Sequence, residues 1–329
     1  MLSLLTALML PLGEALPKSD RLAFMGSVRD NLDVYIADMS RSLVVRFTRL
    51  DTWERYPAWS PDGEYIAYHS GPARQPGCTI NYEIFISSLD GRTTRQITGS
   101  NLDPFQSAET IMNGGLYCAA MPDWSPDGEK IAFHANPAGH WDIFVYNLVT
   151  DEITRVTDSL DDDVLFDWAA DSQSGVMTTG PLRNMTLSRI NVESGEMTPL
   201  TRLEDVTDEN GIVRTPSGML EDWHPTFSPD GSQIVFSSDR SGASDIYTIN
   251  ADGTELTKVT DDFYTDSNPI WTTDGRIIFT SDRSGLSRLF SIRPDGTDLR
   301  MLFGLNFGFM TDGAAWWSPA MDTGAPPLN

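Results

Sequence analysis

Six times along the chain an aromatic residue opens a segment that reads as turn, strand, turn, strand: Trp59-Ser-Pro-Asp-Gly63, Trp124-Ser-Pro-Asp-Gly128, Trp168-Ala-Ala-Asp-Ser172, Phe227-Ser-Pro-Asp-Gly231, Trp271-Thr-Thr-Asp-Gly275 and Trp317-Ser-Pro-Ala320. Trp124 and Trp168 stand 44 residues apart, as do Phe227 and Trp271, and Trp317 follows Trp271 by 46. A period of roughly 40 to 45 residues is that of one four-stranded propeller blade. The wider gaps, 65 residues before Trp124 and 59 before Phe227, carry insertions. Length alone allows one or two domains, but the repeats use nearly all of it as one all-β ring.

One unit can be read residue by residue from Trp223 onward. Pro225 and Phe227 belong to a first strand, and Pro229-Asp230-Gly231 has turn chemistry, Pro fixing φ and Gly tolerating positive φ. Gln233-Ile-Val-Phe-Ser237 alternates as a half-buried second strand, Ser244-Asp-Ile-Tyr-Thr-Ile249 is a third, and a fourth follows the tight turn at Ala251-Asp-Gly-Thr254. The ends of the chain are complementary. Residues 21–48 supply strands two, three and four of a blade without its opening aromatic segment, and Ala314-Ala-Trp-Trp-Ser-Pro319 supplies that segment and no more. The expected fold is a six-bladed propeller over residues 21–320, closed where terminal strands share a blade, which removes open sheet edges. Residues 1–20 and 321–329 lie outside it.

The Trp-Ser-Pro-Asp-Gly segments, the strands such as Ile66-Ala-Tyr68 and the Ser-Asp-Arg-Ser-Gly loops at 238–242 and 281–285 resemble the TolB-like propeller family over almost the whole chain. The resemblance implies a propeller without the N-terminal α/β domain that TolB carries. It constrains architecture far more than role, because propellers serve as enzymes, receptors and scaffolds.

With 47 acidic against 23 basic residues, a formal charge of −24 excludes the basic footprint that nucleic acid requires, and it favours cationic partners. The apolar run Leu2-Ser-Leu-Leu-Thr-Ala-Leu-Met-Leu-Pro-Leu12 is too short to span a bilayer and, followed by Gly13-Glu-Ala15, resembles a signal-peptide core and cleavage site without the usual positive leader. A periplasmic or extracellular location and a monomer are expected. The two cysteines, Cys78 and Cys118, fall in long loops on one face of the ring, and an oxidising compartment would join them.

The insertions at 71–82, 100–121 and 204–222 all rise on that face, which is therefore the expected binding surface. Five residues before each opening aromatic stand Glu54, Ala119, Asp163, Asp222, Asp266 and Asp312. Five acids at one repeat position predict a ring of carboxylates at the channel mouth that would attract a cation or basic partner; the alternative is that each caps its own turn. Calcium accepts such ligands, although no stretch matches an EF-hand loop. Trp53, Trp141, Trp223 and Tyr264 lie beside the same loops as candidate anchors for a peptide or sugar. His69 and His134 share a strand-two position and read as structural, whereas His140 and His224 fall near the insertion face.

Nucleophilic catalysis has little support: no Gly-x-Ser-x-Gly elbow or hydrolase half accompanies the repeats. The leading expectation is a non-catalytic binding propeller for a protein, peptide or envelope component. The alternatives are a sugar-active lyase or hydrolase using paired carboxylates, and an accessory propeller of a peptidase system.

Overall fold

The computed structural model describes residues 21–28, 31–38, 43–72, 82–99, 118–137, 139–206, 215, 218–285 and 287–302, and the backbone of the strand Ala315–Trp317. Among them the regular elements are β-strands, apart from one short 3-10 helix at Leu203–Val206. Antiparallel meanders follow one another: Thr52–Trp59 with Tyr65–Pro72, Glu83–Ser88 and Thr94–Gln96; Ala119–Trp124 with Lys130–Ala135, Asp142–Asn147 and Glu152–Arg155; Asp266–Trp271 with Ile277–Ser281, Arg288–Ile292 and Arg300–Met301. A further four-stranded sheet joins the two ends of the chain, with Leu22, Ala23 and Phe24 registered against Trp317, Trp316 and Ala315.

Six separate four-stranded sheets were expected, and four stand alone. The remaining strands form one eight-stranded sheet, Asp162–Trp168 to Met197–Pro199 followed by Leu220–Phe227 to Thr257–Lys258. The physical cause is a short parallel pairing of Asn184 with Leu220 and Met185 with Glu221, which ties a third strand of one meander to the first strand of the next.

Sequence chemistry sets the strand ends. In the Phe227-Ser-Pro-Asp-Gly231 segment the serine hydroxyl donates to the aspartate, Ser228 Oγ to Asp230 Oδ1 at 2.6 Å, and Gly231 takes φ of 70°, a conformation that costs glycine least. Apolar residues on alternate faces then pack meander against meander. Ile84 and Ile86 meet Phe133 and Phe144; Ala132 and Ile143 meet Trp168 and Met177; Val176 and Leu187 meet Phe236 and Tyr247; Val235 meets Phe279. Ile270 and Leu289 meet Leu22 and Tyr35, while Val34 and Ile36 meet Trp59 and Ile66. The terminal sheet thus packs against both its neighbours. Burial of aliphatic and aromatic surface at every junction is the main favourable contribution to the arrangement.

Candidate functional site

The recurrent acids lie inside the protein rather than on an open channel mouth. Glu54, Asp163, Asp222 and Asp266 are each fully buried; Asp312 lies outside the described residues. A threonine from the preceding meander reaches each of them. Thr48, Thr98, Thr157, Thr201 and Thr260 each accept the N–H of a third-strand residue, Val34, Ile84, Ile143, Leu187 and Ile246, at 2.8 to 2.9 Å. The hydroxyl proton is then free to bond the carboxylate of the next first strand: Thr201 Oγ1 donates to Asp222 Oδ2 at 2.7 Å. Thr48, Thr157 and Thr260 likewise hydrogen-bond Glu54, Asp163 and Asp266, opposing the burial that pushes those three carboxyls upward. Where the repeat has Ala119, Thr98 donates instead to Glu83 at 2.6 Å.

Two of the acids also hold an arginine from a Ser-Asp-Arg-Ser-Gly loop. Arg240 Nη2 donates to both oxygens of Asp222 at 2.8 Å and its guanidinium lies over Phe236 and Tyr247. Arg283 Nη2 donates to Asp266 at 2.7 and 3.0 Å and lies over Phe279 and Phe290. Carboxylates satisfied in this way pin neighbouring meanders together and present little charge outward. The anchors differ among themselves. Trp53 is stacked by the Arg55 guanidinium at 4.4 Å, and Trp141 and Trp223 pack against Val164, Leu165 and Met185. Tyr264 has the Arg283 guanidinium 5.7 Å from its ring centroid yet remains 44 % exposed beside the fully exposed Phe263.

The place where polar groups converge on open space is the ring interior. Residues 121–123, 165–167, 224–226 and 268–270, three consecutive positions of four successive first strands, line one open-mouthed cavity of about 60 Å³. Tyr56, Met121, Leu165, His224 and Asn268 all take φ between 50° and 58°, and register shifts bracket each of them. These are β-bulges, which bend the strand and re-aim the side chains that follow. His69 Nδ1 accepts the N–H of Met121, and His134 Nδ1 that of Leu165, both at 3.3 Å, so strand two of one meander fixes the bulge of the next.

The bulges bring Asp123 and Asp167 to the cavity wall. Asp123 Oδ2 accepts the N–H of Trp168 at 3.2 Å, and Asp167 Oδ2 that of Phe227 at 2.8 Å. Burial pushes the Asp123 carboxyl up to about 7, against backbone hydrogen bonds from Trp168 and Trp124. Burial, followed by repulsion from Asp123, holds Asp167 well above the usual carboxylate range. His224 lines the same cavity with its Nδ1 buried and unbonded, and burial lowers it to about 4. Sequence reasoning placed His224 near the insertion face and passed over the two aspartates. The available signal was an acid directly before an opening tryptophan in two consecutive repeats.

Among the described residues no three His, Cys, Asp or Glu side chains come together as a metal-ligand set. Cys118 is buried and bridges to Tyr82, whereas Cys78 lies outside the described residues. No described helix is long and apolar enough to cross a membrane.

A pH dependence follows from the cavity carboxyls. Between the ordinary carboxylate range and about 7 the folded protein keeps a proton that the unfolded chain has released, so stability falls as pH rises through that window. His134 and His224, lowered to about 3 and about 4 by burial, act oppositely, and their contribution is lost as pH falls below the usual histidine value of roughly 6.5. Above that pH the carboxyls dominate. Urea unfolding between pH 6.5 and 8.5 should show declining stability, and Asp123→Asn/Asp167→Asn should flatten the decline and gain about 1–3 kcal/mol at pH 8. An unchanged slope in the double variant would mean that the pair is ionised throughout.

Residues 203–320 match the family model described as the TolB beta propeller domain. The Tol-Pal system protein TolB of Bordetella pertussis is 26 % identical over 172 residues, 52 % of this chain and 33 % of that protein. Dipeptidyl-peptidase 5 of Porphyromonas gingivalis is 31 % identical over 153 residues, 44 % of this chain and 20 % of the peptidase. The chain thus spans a third or less of these two relatives. The crystal structure of TolB from Acinetobacter baumannii superposes with a TM-score of 0.63 at 17 % identity, covering 91 % of this chain and 67 % of the other. At that identity the likeness is one of fold.

Proposed function

Because this chain is a β-propeller of the TolB-like family, we propose that it is a non-catalytic binding module of the periplasm whose ligand enters the ring interior. The proposal counts six blades, dividing the eight-stranded sheet at the parallel pairing of Asn184 with Leu220. An apolar junction of Val176 and Leu187 with Phe236 and Tyr247 across that pairing, like the junctions between the separate sheets, supports that count. The observation that carries the binding reading is the cavity: an apolar enclosure with a few convergent polar groups and shifted carboxyls is the expected form of a ligand site. The inter-sheet acids serve it by fixing the blades. Tyr264 and Phe263 supply exposed apolar surface where partners anchor.

The same proposal includes a Cys78–Cys118 bridge. Tyr82, four residues after Cys78, is held beside Cys118 by a parallel β-bridge, so the two loops start close together. The match to a dipeptidyl-peptidase favours a second reading, an accessory propeller that delivers peptides to a separate hydrolase.

The test is affinity capture from native envelope extract with the intact protein and with Thr226→Trp, which fills the cavity. A partner retained by the first and lost from the second, with both variants equally folded, is the expected result. Equal capture by both would move binding elsewhere, and a captured peptidase would favour the second reading.

A further inference from the structure

We propose that the cavity receives the basic side chain of a peptide, a lysine ammonium or arginine guanidinium, between Asp123, Asp167 and His224. This rests on the binding reading above and names its ligand chemistry. Three acceptors project from three successive first strands into one enclosure: two carboxyl groups and an imidazole nitrogen, His224 Nδ1, that is shielded from solvent and has no hydrogen-bond partner. An unpaired buried acceptor is costly. Nitrogen cations are donors only and carry several N–H groups, so such a group supplies the donors that these acceptors lack.

The protein supplies no cation of its own there. Neither Lys nor Arg appears among the cavity-lining residues, and no basic side chain acts on either carboxyl: burial dominates both, with mutual repulsion added at Asp167. Other buried acids are satisfied by neighbouring side chains, Asp222 and Asp266 by Arg240 and Arg283, Asp245 by Lys258 at 3.0 Å, and Glu54 and Asp163 by hydroxyls. Asp123 and Asp167 have neither a cation nor a hydroxyl acting on them, and they line the cavity. The remaining walls include Met121, Leu165, Phe166 and Ile270, apolar surface suited to the methylene stem of a basic residue whose charged end reaches the polar groups. A metal ion fits less well, since the described side chains form no ligand set of three. The formal charge of −24 would draw a basic segment toward the ring before it docks.

The experiment is titration calorimetry at pH 8 with three blocked tripeptides, Ac-Ala-Lys-Ala-NH2, Ac-Ala-Arg-Ala-NH2 and Ac-Ala-norleucine-Ala-NH2. At least one basic peptide should bind and the norleucine peptide should bind tenfold more weakly or not at all, because charge-assisted hydrogen bonds are worth about 1.5–3 kcal/mol. Asp123→Asn/Asp167→Asn should lose about tenfold or more of that affinity on the same scale, and Asp158→Asn/Asp161→Asn, which removes two surface charges, one of them an exposed partner of Arg155, should change it by less than about twofold. Equal binding of the norleucine peptide, equal losses in the two double variants, or no binding by either basic peptide would overturn the inference. In any of those cases, a partner still captured by the intact ring and lost from Thr226→Trp would leave the binding reading standing.

Discussion

Deleting residues 312–329 is expected to unfold or aggregate the protein at temperatures where the full chain is native. The deletion removes the strand Ala315–Trp317, whose backbone pairs with Leu22, Ala23 and Phe24, and so uncovers one edge of the sheet that packs against both the first and the last meander. An exposed edge templates association, and the strand Arg21–Val28, which carries Leu22, Ala23 and Phe24 into the two apolar junctions, loses its pairing on that side. The expected cost is on the order of 5 kcal/mol, comparable with the whole stability of many domains. Deleting residues 321–329 alone is the control and should leave the melting temperature within a few degrees. A chain lacking 312–329 that melts with the control and remains monomeric in sizing chromatography would show that closure contributes little.

The second large effect concerns the arginines of the two Ser-Asp-Arg-Ser-Gly loops. Arg240→Ala should cost about 3–5 kcal/mol, because it strands the Asp222 carboxylate, fully buried, with Thr201 as its remaining side-chain donor. Arg240→Met combined with Asp222→Leu should be much milder, since well-packed apolar replacements of a buried pair are often neutral. Urea unfolding of the two single variants and the double variant measures the coupling. Additive losses, or a single variant within 0.5 kcal/mol of the parent protein, would place both groups in water.

The contrast between these two loops and the cavity shows what a sequence of this kind makes legible. The turn segments at Trp59, Trp124, Phe227 and Trp271 are local, so their strands and glycine turns can be read directly. The recurrence of Glu54, Asp163, Asp222 and Asp266 was equally visible, but the direction in which they face was not. Direction along a strand follows a period of two, and each first strand contains a bulge at Tyr56, Met121, Leu165, His224 or Asn268 that breaks the alternation between the acid and the aromatic. None of these residues is a glycine, and only His224 and Asn268 belong to types enriched at positive φ. Recurrence at one repeat position pointed the acids to the channel mouth, whereas the structure buries them between meanders and brings Asp123 and Asp167 to the cavity wall. Arg240 and Arg283 read as loop residues because their partners lie 18 and 17 residues earlier, a distance at which pattern carries no geometry. The parallel pairing of Asn184 and Leu220 crosses an insertion and has no sequence signature at all.

In the proposed reading, recognition lies at the cavity carboxyls and the inter-blade acids serve the architecture. The most direct measurement is the affinity of the captured envelope partner, by calorimetry at pH 8, for three forms of the protein verified as equally folded: the natural sequence, Asp123→Asn/Asp167→Asn and Asp266→Asn. Affinity should fall about tenfold or more in the cavity variant, as expected for lost charge-assisted hydrogen bonds, and stay within about twofold in Asp266→Asn, whose cost should appear in stability alone. Affinity unchanged by the cavity substitutions and reduced by Asp266→Asn would contradict the account and return the binding site to the recurrent acids.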